Sequence, residues 1–173
     1  TTTPAQSILV VDDDSGASLE QYFLDALATN SFASDVWDLQ AWTSSPLSAD
    51  LKAYRMVVWN AGENGLSPAA QTAIEQYLNA GGRIYISGQE VLKNGVDSTF
   101  QQNYLKVASW QDDVQTASHN EVGVTGNPIS NGMAIPVAPT AQVPNLLIDA
   151  VTPGPGATGF LRHGVTSASS SFS

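Results

Sequence analysis

Ser7-Ile8-Leu9-Val10-Val11 is an unbroken apolar run rich in β-branched residues, and it stops abruptly at Asp12-Asp13-Asp14-Ser15-Gly16. A strand with one wet face alternates apolar and polar residues, so a short continuous run predicts a strand buried on both faces of a parallel sheet. Beyond the acidic turn, Leu19, Tyr22, Phe23, Ala26 and Leu27 recur at spacings of three and four, which lines one face of a helix. Ser15 or Ser18 stands ready as its N-cap. Strand, polar turn and helix follow one another directly, and the pattern then recurs. Ser34 to Leu39 alternates like a half-exposed strand, and Leu47 to Tyr54 suits a short helix or turn. Arg55-Met56-Val57-Val58-Trp59 repeats the buried-strand pattern and ends in the turn formers Asn60-Ala61-Gly62-Glu63-Asn64-Gly65. Ser67-Pro68 supplies a cap and a first-turn proline for a helix carrying Ala70, Ala73, Ile74, Tyr77 and Leu78, which Gly81-Gly82 stops. Arg83 to Ser87 reads as a fourth strand, with a further helical stretch around Ser98 to Leu105.

Four strands alternating with helices predict an α/β sandwich around a mainly parallel sheet with right-handed crossovers. In such sheets ligands sit at the carboxyl ends of the strands, so Asp12, Asp13 and Asp14, Asn60 to Asn64, and Ser87 to Gln89 and Glu90 are expected to converge there. After Val107 the pattern weakens. Glu121 to Val124 suits a strand, Pro128 to Pro144 reads as irregular, and Leu146 to Ile148 and Gly159 to Leu161 are short apolar runs. The second half is expected to be loops and edge strands appended to the sheet. Residues 1–165 then form one α/β domain, with 166–173 a Ser-rich tail or linker.

The 173 residues carry 6 Lys+Arg against 16 Asp+Glu, a formal net charge of -10. That balance works against nucleic acid and against anionic bilayers as partners. No apolar run reaches the roughly 20 residues of a spanning helix, and Thr1-Thr2-Thr3-Pro4 lacks the features of a signal peptide. The expectation is a soluble chain from which any targeting segment has been removed. With no cysteine, thiolate metal sites and a cysteine nucleophile are excluded. The low charged fraction with many Ser, Thr and Gly leans towards a secreted bacterial protein.

Asp12, Asp13 and Asp14 offer oxygen ligands of the kind Ca²⁺ takes. The spaced D-x-D-x-D-G loop of a dedicated calcium site is missing, so the expected role is capping of the following helix, where a carboxylate favours the dipole, with calcium the alternative. Ser87 as a nucleophile needs a base within hydrogen-bond reach. The two histidines, His119 (in His119-Asn120-Glu121) and His163, read more simply as surface or turn residues. Asp13, Glu63 and Glu90 could pair as carboxylates for acid/base work. Trp37 and Trp59 lie within strand patterns and are expected in the core, leaving Trp42 and Trp110 as candidates for an exposed contact surface.

The first strand and acidic turn resemble the acidic pocket of a response-regulator receiver domain, but Asn60 stands where that family needs its phosphoryl-accepting aspartate. A wider resemblance runs through the Val36-Trp37-Asp38 strand, the Asn60-Ala61-Gly62 loop, Tyr77-Leu78-Asn79-Ala80-Gly81-Gly82-Arg83-Ile84-Tyr85-Ile86-Ser87-Gly88-Gln89-Glu90 and Gly126-Asn127-Pro128-Ile129-Ser130-Asn131-Gly132-Met133. In these the chain resembles the class I glutamine-amidotransferase-like domains attached to secreted bacterial peptidases. The resemblance implies a three-layer, flavodoxin-like α/β fold. Catalytic members of that superfamily carry a cysteine on the sharp turn after the fourth strand. Ser87-Gly88-Gln89 stands there instead, so the fold is implied and the reaction is not. The sequence thus points to a non-catalytic accessory domain of a secreted multidomain bacterial protein. Its partners would be neighbouring domains of the same polypeptide. A hydrolase using Ser87 or a carboxylate pair, and a Ca²⁺-binding module at Asp12 to Asp14, are the alternatives.

Overall fold

The computed structural model describes residues 7–42, 44–93, 95–115, 118–141, 144 and 148–163. The Ser-rich tail from Thr166, the amino-terminal Thr1 to Pro4 and Leu146 lie outside the described residues. The chain divides into two compact units, Thr1–Phe100 and Gln101–Ser173.

The first unit is a mixed α/β structure: β1 (Ile8–Asp12), α1 (Glu20–Thr29), β2 (Ser34–Asp38), α2 (Leu39–Trp42), α3 (Ser48–Leu51), β3 (Met56–Gly62), α4 (Pro68–Asn79) and β4 (Ile84–Gly88), with α5 (Ser98–Asn103) straddling its end. The four strands form one parallel sheet in the order β2-β1-β3-β4. The two continuous apolar runs occupy its centre. Ile8, Leu9, Val10 and Val11 of β1 and Val57, Val58 and Trp59 of β3 are at most 8% exposed, as a strand flanked by neighbours and covered on both faces requires.

Register explains which residues share a face. Val36, Val10, Val58 and Tyr85 lie side by side across the four strands. On this face Phe23, Leu24 and Leu27 of α1 pack against Ile8, Val10 and Val58, while Val36 and Tyr85 on the edge strands stay 45% exposed. The alternate set, Leu9, Val11, Val57 and Trp59, is buried completely or nearly so. Helix α4 has the predicted boundaries: Ser67 Oγ accepts the Ala70 amide, Pro68 takes the first position, and Gly82 donates back to Tyr77. A Cβ on Gly82 would stand 2.5 Å from the Tyr77 ring, so only glycine allows this close return.

Two expectations need correction here. Helix α1 begins at Glu20 without a side-chain cap at its Leu19 N-cap position. Ser15 and Ser18 instead take left-handed backbone conformations, φ 62° and 57°. Trp37 is only half-buried, and its ring is stacked 5.3 Å from that of Trp42, which is 62% exposed. Trp59 is in the core as predicted.

The second unit holds β5 (Val107–Gln115), β6 (His119–Gly123), β7 (Ala134–Val137), β8 (Ile148–Pro153) and β9 (Leu161–His163). Rather than extending the parallel sheet, its described strands form antiparallel sheets of their own, β5-β8 and β7-β6-β9. The stretch expected to be irregular thus contains β7, whose Pro136 faces Asn120 across the ladder. Pro136 is tolerated because β7 is an edge strand, where the missing N–H interrupts nothing.

Candidate functional site

The carboxyl ends of the strands bring Asp38, Asp12, Asn60 and Ser87 into one row, since Asp12 pairs with Asp38 and Asn60, and Asn60 with Ser87. The ladder runs one step further when Asp13 N donates to Asn60 O at 2.8 Å. The chain then turns sharply under Gly62, whose φ is 55° and whose missing Cβ would stand 2.8–2.9 Å from Asp14.

Asp14 organises this turn. Its Oδ1 accepts the amides of Gly16 and Ala17 at 2.8 Å each, and its Oδ2 accepts the Leu19 amide at 2.6 Å and Asn60 Nδ2 at 3.1 Å. One carboxylate, only 5% exposed, therefore satisfies the amides leading into α1 across the stretch where Ser15 and Ser18 take left-handed conformations. Asp13 Oδ2 accepts the buried Trp59 indole N–H at 3.1 Å, and Asn64 Nδ2 donates to the Asp13 carbonyl. Glu20, the first residue of α1, brings a further carboxylate. Oxygens of Asp12, Asp14 and Glu20 lie within 4.8 Å of one another, and Glu20 Oε2 is buried with no hydrogen-bond partner.

This crowding appears in the acidities. Burial, followed by the charges of Asp14 and Glu20, pushes the Asp12 carboxyl up to about 7, against one opposing backbone hydrogen bond. Burial also raises Asp13, although the Trp59 indole works the other way. Burial works to raise Asp14 as well but is outweighed by the amides of Leu19 and Ala17, the Asp12 side chain and the Gly16 amide, which together lower it. Asp12 and Asp14 hydrogen-bond each other, so Asp12 holds the proton and Asp14 the charge.

The structure brings together Asp12, Asp13, Asp14, Asn60 and Ser87, and passes the Gln89 amide to Gly62 O at 2.7 Å. Glu63 is exposed. Glu90 is ion-paired to Lys93 at 3.4 Å. No pairing of Asp13 with Glu63 or Glu90 is found among the described residues. His119 and Glu121 belong to the second unit, two apart on β6, with His119 Nε2 and Glu121 Oε1 2.8 Å apart and side chains 5% and 8% exposed. They are a buried pair rather than surface residues, and the i, i+2 alternation of a strand is the signal that places them on one face. His163 ends β9, opposite Glu121 in the ladder. Sequence reasoning passed over Glu20 and missed the Trp59–Asp13 contact, which depends on a register set by non-local pairing. No protein-family model, curated protein or solved structure matches this chain.

Proposed function

We propose that this chain is a non-catalytic accessory module, structural or binding in role, of a multidomain exported protein, seated beside a peptidase or other hydrolase domain. The observation that carries the reading is the use of the strand-end groups as struts. Asp14 accepts four hydrogen bonds within its own loop and sheet, and Asp13 takes the Trp59 indole. Acid/base work needs groups free to reach a substrate, and these are occupied by the fold. Residues 1–100, which contain Ser87, include no histidine or cysteine, and the buried His119 is bonded to Glu121. The resemblance of residues 77–90 to amidotransferase-like accessory domains supports the same reading. So does the strand order 2-1-3-4, the beginning of the flavodoxin-like order, which argues for a three-layer sandwich. Incubation with generic esters and with glutamine tests it: the expected result is no turnover above buffer. Hydrolysis that disappears in Ser87→Ala would replace this reading with a serine hydrolase.

One observation favours a second reading, a hard divalent cation held by Asp12, Asp14 and Glu20. It is the buried, unpartnered Glu20 Oε2 beside two further carboxylates. Calcium takes six to eight oxygens, so water would complete the shell. A cation that binds only the folded chain stabilises it by about 2.7 kcal/mol at a hundredfold excess over Kd. Millimolar CaCl2 that raises the melting temperature beyond NaCl of equal ionic strength, with the rise lost in Glu20→Gln, supports this reading. Equal shifts from both salts remove it.

A further inference from the structure

The carboxyl ends of the strands hold acids, and the opposite end of the same sheet holds bases. Arg55 immediately precedes β3 and Arg83 immediately precedes β4, and the Val57 amide donates to Arg83 O at 2.9 Å, so the two stand at the amino ends of adjacent strands. Lys52 caps the carboxyl end of α3. These three residues, with Tyr54, Tyr77, Ala80, Gly81 and Gly82, line a cavity of about 430 Å³. Tyr77 ties the wall together, its hydroxyl lying within reach of two acceptors, the Arg83 carbonyl at 3.2 Å and the Tyr54 carbonyl at 3.4 Å, which share its single proton.

The charge arrangement is unusual for this chain. It has only 6 basic residues against 16 acidic ones, yet three of the six face this one cavity. Among the described residues, no ion pair or hydrogen bond engages the charged groups of Lys52, Arg55 or Arg83, although carboxylates are plentiful. The acids that act on Tyr54, namely Asp35 and Asp50, do not line the cavity; they accept Ser7 Oγ and the Leu47 amide respectively. Helix α4 ends in the cavity wall, but a helix carboxyl terminus supplies only about half a negative charge, against three full positive ones. The cavity is large enough for a small molecule. Gly81, where a Cβ would meet nothing within 4 Å, leaves the wall low on one side.

We propose that this cavity is an anion-binding site for small molecules bearing a phosphate, sulfate or carboxylate group. The two guanidinium forks supply bidentate hydrogen bonds and Lys52 a movable ammonium, the combination suited to a multi-oxygen anion. The site is independent of the strand-end carboxylates and of the accessory role, so the failure of either leaves it standing. Calorimetric titration of the chain with inorganic phosphate, sulfate and citrate, with chloride at matched ionic strength as the control, tests it. The expected result is saturable uptake of at least one of the three oxyanions, the preferred one identifying the ligand group. Arg55→Gln and Arg83→Gln should each weaken uptake about tenfold or more, equivalent to about 1.4 kcal/mol, while Lys106→Gln leaves it unchanged. Arg55→Lys, which keeps the charge and loses the fork, should fall between. All of these residues are exposed, and unchanged far-UV dichroism checks that each variant folds. No saturable uptake of any oxyanion, or a loss as large in Lys106→Gln, overturns the proposal.

Discussion

The acidic run offered a capping carboxylate and the serines a capping hydroxyl, and Asp14 is the one that accepts the amides leading into α1. A hydroxyl before an apolar stripe is the usual cap signal, and nothing local reveals which of three successive carboxylates reaches the amides two, three and five residues on. Asp14→Ala leaves the Gly16, Ala17 and Leu19 amides without their acceptor. At about 1–3 kcal/mol for each buried unsatisfied group, with water recovering part, a clear drop in the chemical-denaturation midpoint is expected. Asn in its place should recover only part of it. Asp12 gives a pH signature of opposite sense to ordinary acid denaturation. Its folded value, about 7, lies above the ordinary 3.8. The folded chain therefore keeps a proton that the unfolded chain releases. The resulting stability is complete below about 3.8 and is lost as the pH rises through about 7. Asp13, also raised, acts in the same direction. Asp14, lowered, contributes stability that disappears only as the pH falls through its depressed value. With EDTA present, the melting temperature should fall between about pH 5 and about pH 8, and Asp12→Asn should flatten that slope. A melting temperature that climbs over this range in the wild type would contradict the proton assignment.

The central strands and α4 were legible because each carries a local signal that tertiary packing reinforces: an unbroken β-branched run, or a cap, a proline and a paired glycine. Val10→Asp or Val58→Asp puts an unpaired charge at a position 0% or 5% exposed. Its cost of several kcal/mol is a large share of a typical total of about 5–15 kcal/mol, so loss of the cooperative melt is expected. Retention of the wild-type transition in both variants would refute the strand assignment. Less legible was Gln71, a polar residue within the apolar stripe of α4. Its amide donates to Leu66 O and Gly95 O, and its Oε1 accepts the Asp97 amide, fastening the loop after β4 to the helix. No periodicity reveals such a strut, because its partners lie far along the chain. Gln71→Leu should cost about 1–3 kcal/mol in urea unfolding, since it strands the Asp97 amide while keeping the volume. The strands of the second unit were the least legible, since β7 and β8 carry proline and all are specified by pairing partners rather than by their own composition.

At the scale of the whole molecule, a net charge of -10 opposes compaction, so the melting temperature should rise as NaCl is raised from about 10 mM to about 300 mM, where the Debye length shrinks below about 10 Å. A flat response would mean that the excess charge is already neutralised. The strand order has a further consequence, for the time course of synthesis. Of the four strands in this sheet β1 is the first to leave the ribosome, yet it is a central strand, flanked by β2 and β3. Ile8 to Val11 therefore has no complete set of neighbours until Gly62 has emerged, and a parallel sheet offers no local hairpin to shelter it meanwhile. During that interval the run is an adhesive segment, and the three aspartates fused to its end are the kind of charge that keeps such segments from pairing with one another. The acidic turn would then protect the nascent chain before it shapes the folded one.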